Sequence, residues 1–183
     1  MIVIALGSNL PGHFGAPERA LSRAIRELNA SGIRIVKTSE IYVTEAYAYT
    51  PQPDFLNAIA IAATPLPPDA LLQVLKRIEA QAGRRISKGA RTPYLRWMAR
   101  PLDLDIVGYK GIVRNWEAGR PKAGRCVILP HPRAHERAFV LQPLAEVAPY
   151  WHHPVFGLTA PALLKMPGVR ETGKIVDKKK SWA

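Results

Sequence analysis

The apolar residues of this chain keep changing their period, and that alternation limits its possible folds more than any other feature. From Ile2 to Leu6 they run unbroken, as in a buried strand, and Gly7-Ser8-Asn9 follow as turn residues. Pro17 then opens a stretch where Leu21, Ile25 and Leu28 recur on one helical stripe, ending near Asn29 to Gly32. β-Branched residues crowd Ile33 to Val43 and predict one long strand, and the proline-broken segment Thr44 to Pro53 predicts a loop. Leu56 to Ala63 returns to alternation, with Ile59 and Ile61 on one face. Pro65, Pro67 and Pro68 punctuate the chain before Leu71, Leu75 and Ile78 mark a second helix stopped by Gly83. Leu102 to Val107 supplies the next strand.

The order β, α, β, β, α, β is that of a ferredoxin-like α+β sandwich, an antiparallel sheet with helices packed on it. Residues 84 to 97 lack apolar periodicity and predict a surface loop, 108 to 130 a connecting excursion, and Arg137 to Val147 another helix. At 183 residues and 48% hydrophobic content the chain suits a single core. No apolar run approaches the roughly 18 residues of a membrane span, and the opening run is too short for a signal-peptide core, so a cytoplasmic protein is expected. Cys126 is the only cysteine, which excludes an internal disulfide and a multi-thiolate zinc site.

Charge points to an anionic partner, because 26 Lys and Arg against 14 Asp and Glu leave a net +12. Eight basic residues and one acid, Glu79, lie between Lys76 and Arg100, and Lys178, Lys179 and Lys180 form a second cluster read as a solvated tail. The basic loop runs straight into Arg100-Pro101-Leu102-Asp103-Leu104-Asp105-Ile106. On a strand, Leu102, Leu104 and Ile106 enter the core while Asp103 and Asp105 share the other face, their Cα atoms about 6.7 Å apart. Such a pair reads as the polar side of a strand, or as ligands for two Mg ions about 3.5 to 4 Å apart. With arginines alongside, the pattern suits phosphoryl chemistry, where planar guanidinium forks stabilise charge on the moving group.

Other stretches add partners for such a reaction. No G-x-x-x-x-G-K-[ST] is present, so a nucleotide would be cradled by something other than a P-loop. His131 and Arg137, in Leu129-Pro130-His131-Pro132-Arg133-Ala134-His135-Glu136-Arg137, are candidates for phosphate contacts, while Pro130 and Pro132 argue against a helical zinc pair of His131 and His135. Phe55 and Asn57, at the mouth of a strand, suit stacking on a flat ring and hydrogen bonding to its edge. Core packing is the other reading of Phe55, and Phe139 invites the same two readings. An RNA-binding module is the competing class, disfavoured because the aromatics do not form a sheet-face motif and an Asp pair repels phosphate backbones.

Five ordered motifs resemble the hydroxymethyldihydropterin pyrophosphokinase family of folate biosynthesis. They are Ala5 to Leu10, Gln52 to Asn57, Arg77-Ile78-Glu79, Arg96-Trp97 with Arg100 to Ile106, and Leu129 to Leu141. The resemblance implies transfer of pyrophosphate from ATP to 6-hydroxymethyl-7,8-dihydropterin, by a domain over residues 1–160 with 161–183 as a basic C-terminal extension. It implies that Asp103 and Asp105 hold two Mg ions, that Arg84 and Arg100 stabilise the transition state, and that the loop from Arg84 to Trp97 closes over the site. Glu79, Trp97, His131 and Arg137 fall on the nucleotide side by the same resemblance. Phe55 and Phe139 would sandwich the pterin, with Asn57 and Thr44 in its pocket. The chain departs from the family's pattern at Thr44-Glu45-Ala46-Tyr47-Ala48, at Met98 and Ala99, and in a longer basic loop.

Overall fold

The structure is a computed structural model describing residues 1–46, 51–84, 98–117, 120–121, 127–169, 173–179 and 182. The chain forms β1 (Ile2–Ser8), α1 (Pro17–Ala30), β2 (Arg34–Thr38), β3 (Ile41–Thr44), β4 (Phe55–Ala63), α2 (Pro68–Gln81) and β5 (Asp103–Tyr109). A two-stranded excursion, β6 (Trp116–Glu117) and β7 (Arg120–Pro121), precedes α3 (Ala138–Val147), α4 (Ala160–Leu163) and β8 (Ile175–Lys179). The main sheet runs β5-β1-β4-β3-β8, with β2 also on β4, and its pairings are antiparallel. This is the expected α+β sandwich. No helix among the described residues is long and apolar enough to cross a membrane.

Both helices of the first half begin with proline in the first turn, where a missing N–H costs nothing, and each has one acid there, Glu18 in α1 and Asp69 in α2. The α1 stripe Ala20, Leu21, Ala24 and Leu28 and the α2 stripe Leu71, Leu75 and Ile78 bury against Ile2, Ile4, Leu6, Leu104 and Ile106. Leu21 is fully buried, so Leu21→Ala should cost about 2–5 kcal/mol. The other face of the sheet is covered by α3, whose Leu141, Leu144 and Val147 join a core containing Val3, Ile59 and Val107.

The single strand expected over Ile33 to Val43 is two strands, and Ser39 explains the break. Its hydroxyl accepts the Ile59 N–H at 3.0 Å, a place in the ladder that backbone would otherwise fill. The next N–H, of Glu40, donates to Glu146 Oε1 of α3 at 2.9 Å. A larger correction concerns the tail, read above as a solvated end. Ile175–Lys179 is the edge strand of the same sheet, pairing with β3 from Ile41↔Lys179 to Thr44↔Ile175. Lys178 forms ion pairs with Glu40 and with Glu146 (3.3 Å), and Trp182 Nε1 donates to the Ser39 carbonyl at 2.9 Å. The expected boundary between residues 160 and 161 falls inside α4.

Candidate active site

Strand register builds the floor of a cleft on the α3 face. Asp103 of β5 lies opposite Gly7 of β1, and Gly7 lies opposite Asn57 of β4. The next row in the same direction is Asp105, Ala5 and Ile59. Small residues in the central strand keep this floor open, since a Cβ on Gly7 would come 3.1 Å from Asn57 Oδ1. Gly7 and Ser8, read above as turn residues, thus belong to β1, and Gly7 is part of the site.

Ala5, Gly7, Thr44, Phe55, Asn57, Arg100, Asp103, Asp105, His131, Arg137 and Phe139 all line this cleft, which encloses about 840 Å³ with its open mouth included. Its lining, mostly apolar with a few convergent charged and polar groups, suits a small-molecule site. Arg84 and Glu79 stand behind Asp103, whereas Trp97 and the loop residues 85–97 lie outside the described residues.

At one end the groups are ionic. Asp103 Oδ1 accepts from Arg84, and Oδ2 accepts from Arg100 Nη1 at 2.7 Å. Burial alone would raise the Asp103 pKa, but Arg84 and Arg100 win and hold it at about 2. Glu79 Oε1 lies 2.8 Å from Arg84 Nη1 and accepts from Lys76 Nζ at 2.7 Å and from Leu104 N at 2.8 Å. Lys76 also donates to the Leu104 carbonyl at 3.2 Å. Because β5 is an outer strand, these two α2 side chains satisfy backbone groups that no neighbouring strand reaches. Glu79 is buried, which raises its pKa against the pull of Lys76 and Arg84, and it meets the cleft through Arg84.

Asp105 sits between Lys76 Nζ at 3.8 Å and His131 Nε2 at 3.9 Å. His131 Nδ1 accepts the Arg133 N–H at 3.2 Å, which assigns the proton to Nε2, the nitrogen nearer Asp105. Burial lowers the His131 pKa although Asp105 opposes it, so the ring is neutral at pH 7. Arg137 has a buried Nε with no partner among the described residues, a donor in a cleft-lining side chain, and its guanidinium carbon lies 5.5 Å from the Phe139 ring centre.

Arg100 is fixed from below by the turn after β1. Its N–H donates to Asn9 Oδ1 at 2.7 Å, and its carbonyl accepts from Asn9 N at 3.1 Å. Asn9 Nδ2 reaches the Pro53 carbonyl at 3.0 Å, and Ser8 Oγ donates to the Pro101 carbonyl at 2.6 Å. One short turn therefore ties the arginine segment to the residues that lead into β4 and Phe55. The other end of the cleft carries a neutral pair: Asn57 Nδ2 donates to Thr44 Oγ1 at 2.8 Å, both residues being buried, and Phe55 and Phe139 are half-buried, with Glu45 the acid that lines the cleft beside Thr44.

The paired acids suit Mg, which takes one or two carboxylates and fills its remaining positions with water and phosphate oxygens. Asp103 and Asp105 project from one strand face into the cleft, and the cations now on them are side chains with part of their surface in water. Among the described residues no group of three or more His, Cys, Asp or Glu forms a metal cage.

Residues 3–149 match the family described as 7,8-dihydro-6-hydroxymethylpterin-pyrophosphokinase (HPPK). The chain belongs to the HPPK family. Its similarity extends to a 2-amino-4-hydroxy-6-hydroxymethyldihydropteridine pyrophosphokinase of Methylorubrum extorquens, 38% identical over 80% of this chain and 81% of that one. The folic acid synthesis protein fol1 of Pneumocystis carinii is 37% identical over 86% of this chain and 19% of its own length. An Arabidopsis thaliana folate synthesis bifunctional protein is 37% identical over 82% of this chain and 30% of its own. The chain thus spans less than a third of those two longer relatives. The fold matches that of a Plasmodium falciparum HPPK-DHPS at a TM-score of 0.63 and 15% identity, over 99% of this chain and 46% of that one. The family match stops before α4 and β8.

Proposed function

We propose that the protein transfers a pyrophosphoryl group from ATP to the hydroxyl of 6-hydroxymethyl-7,8-dihydropterin, within folate biosynthesis in the cytoplasm. The observation that carries this is the single row Asn57, Gly7, Asp103, which joins a neutral ring-binding end to an ionic phosphate end across about two strand spacings. The pterin hydroxyl oxygen would bond to the β-phosphorus, losing its proton to water, as the bond from that phosphorus to the α-β bridging oxygen breaks and AMP leaves with that oxygen. Charge then gathers on the β-phosphoryl oxygens and on the leaving α-phosphate, where Arg84 and Arg100 supply fixed positive charge. Mg ions held by Asp103 and Asp105 would neutralise the phosphate oxygens. Arg137 and neutral His131 would donate to the nucleotide phosphates. Glu79 acts by fixing Arg84.

Phe55 and Phe139 would hold the ring between them, and Asn57, locked by Thr44, would read its edge. A second reading, a related alcohol with another heteroaromatic ring, is favoured by Glu45, which lines the cleft beside Thr44. AMP formation from ATP, Mg and the pterin alcohol tests the first reading, and folded protein yielding none removes it. Calorimetry separates the two, since binding of an ATP analogue with no pterin binding selects the second.

A further inference from the structure

We infer that the C-terminal edge strand is part of the substrate site, with Gly173 as a positioning residue for Phe139. This deepens the pterin-alcohol reading and rests on it. The pairing of β8 with β3 ends at Thr44↔Ile175, and the Glu45 N–H extends it by donating to the Lys174 carbonyl at 2.9 Å. That last bond sets the next residue, Gly173, into the cleft wall beside Thr44 and Phe139.

Gly173 is buried with a φ of +66°, a conformation that side chains resist. A Cβ there would stand 2.9 Å from Phe139 Cδ1 and 3.6 Å from Phe139 Cβ. The Phe139 ring therefore occupies the volume that glycine alone leaves. Arg137 lies 5.5 Å from the same ring, so the phenyl group has a guanidinium as well as bare backbone for a neighbour. The strand that brings Gly173 there is anchored away from the cleft, by Lys178 on Glu40 and Glu146 and by Trp182 on Ser39. Where the ring sits is thus decided partly by a segment at the far end of the sequence.

The test is a double-mutant cycle on the full chain with Gly173→Ala and Phe139→Ala, reading KM for the pterin alcohol, KM for ATP and kcat. Gly173→Ala should raise the pterin KM about three- to tenfold, the range that one displaced ring contact gives, and leave the ATP KM in place. In the Phe139→Ala background the same change should cost nothing further, because no ring remains to be displaced. An equal penalty in both backgrounds, or a wild-type pterin KM in folded Gly173→Ala, overturns the inference. Gly173→Asn, whose side chain tolerates positive φ better, repeats the measurement should the alanine variant melt early. Wild-type protein that binds no pterin by calorimetry sinks the underlying reading instead, so the two failures are distinct.

Discussion

On one wall of the cleft Asp103, Arg84, Arg100, Glu79 and Lys76 already satisfy one another, while on the other Asn57 and Thr44 share one neutral hydrogen bond beside two half-buried phenyl rings. The first wall is held in place by pairs that, in the proposed reaction, a phosphate chain and its cations have to exchange. The second is set before any ligand arrives, and a ring needs only to slide in. The difference teaches where each wall should act. Exchange of ionic partners follows the charge that develops during reaction, so the charged wall should govern kcat. A prebuilt slot contributes alike to ground and transition states, so the neutral wall should govern KM for the ring.

The largest test of that division removes an acid. Asp103→Ala or Asp105→Ala should lower kcat by at least about 10³-fold, because in the proposed reaction each removes a cation ligand facing the phosphates. Circular dichroism should show both variants folded, since the arginines left behind reach water. Full activity in either would place the chemistry elsewhere. Next comes Arg84→Ala, expected to cost about 10²–10³-fold in kcat, with Arg84→Lys failing to restore it because an ammonium lacks the planar fork. On the neutral wall, Phe139→Ala or Phe55→Ala should raise the pterin KM about tenfold with kcat nearly unchanged. If steady-state kinetics show kcat falling instead, the two walls do not divide the work as argued.

Some of this was legible in the sequence. The Asp103 and Asp105 pair was readable because a two-residue period allows only one arrangement, and Phe55 and Asn57 because aromatic and amide at a strand mouth suggest a ring. Other parts depended on contacts that spacing does not encode. Gly7 looked like punctuation, and its role as floor appears only once Asn57 and Asp103 flank it. The break at Ser39 was hidden because a side-chain hydroxyl, and not a helix or turn signal, takes the Ile59 N–H. Three consecutive lysines masked β8 as a frayed tail, although Ile175 and Val176 begin a strand there and Lys178 finds two acids 106 residues apart in sequence, Glu40 and Glu146. Lys76 drew no notice as one of many basic residues, yet it faces Glu79, Asp105 and the edge of β5 at once.

Acid should separate the charged wall from the structure behind the His131 to Arg137 segment, and with the smallest effect of these tests. His153 is fully buried among Trp116, Trp151, Phe156 and His135, with Nε2 unpartnered among the described residues. Burial, and then the neighbouring His135, push its pKa down to about 4. The unfolded chain takes up that proton near 6.5 and the folded chain does not, so the contribution of His153 to stability is complete above 6.5 and is lost as pH falls towards 4. Its full size is at most about 3 kcal/mol, from 6.5 less about 4 at 1.36 kcal/mol per pH unit. Asp103 works in a lower window: its depressed pKa gives a contribution complete above 3.8 and lost as pH falls through about 2. Denaturant unfolding across pH 7 to 4 should therefore show a loss that His153→Leu reduces, with the slope that is left belonging to His131 and His135, whose pKa values burial also lowers. Asp103→Asn should leave that slope alone and change only the limb below pH 4. Parallel curves for wild type and His153→Leu between pH 6.5 and 4 would show that the buried imidazole is not what acid finds first.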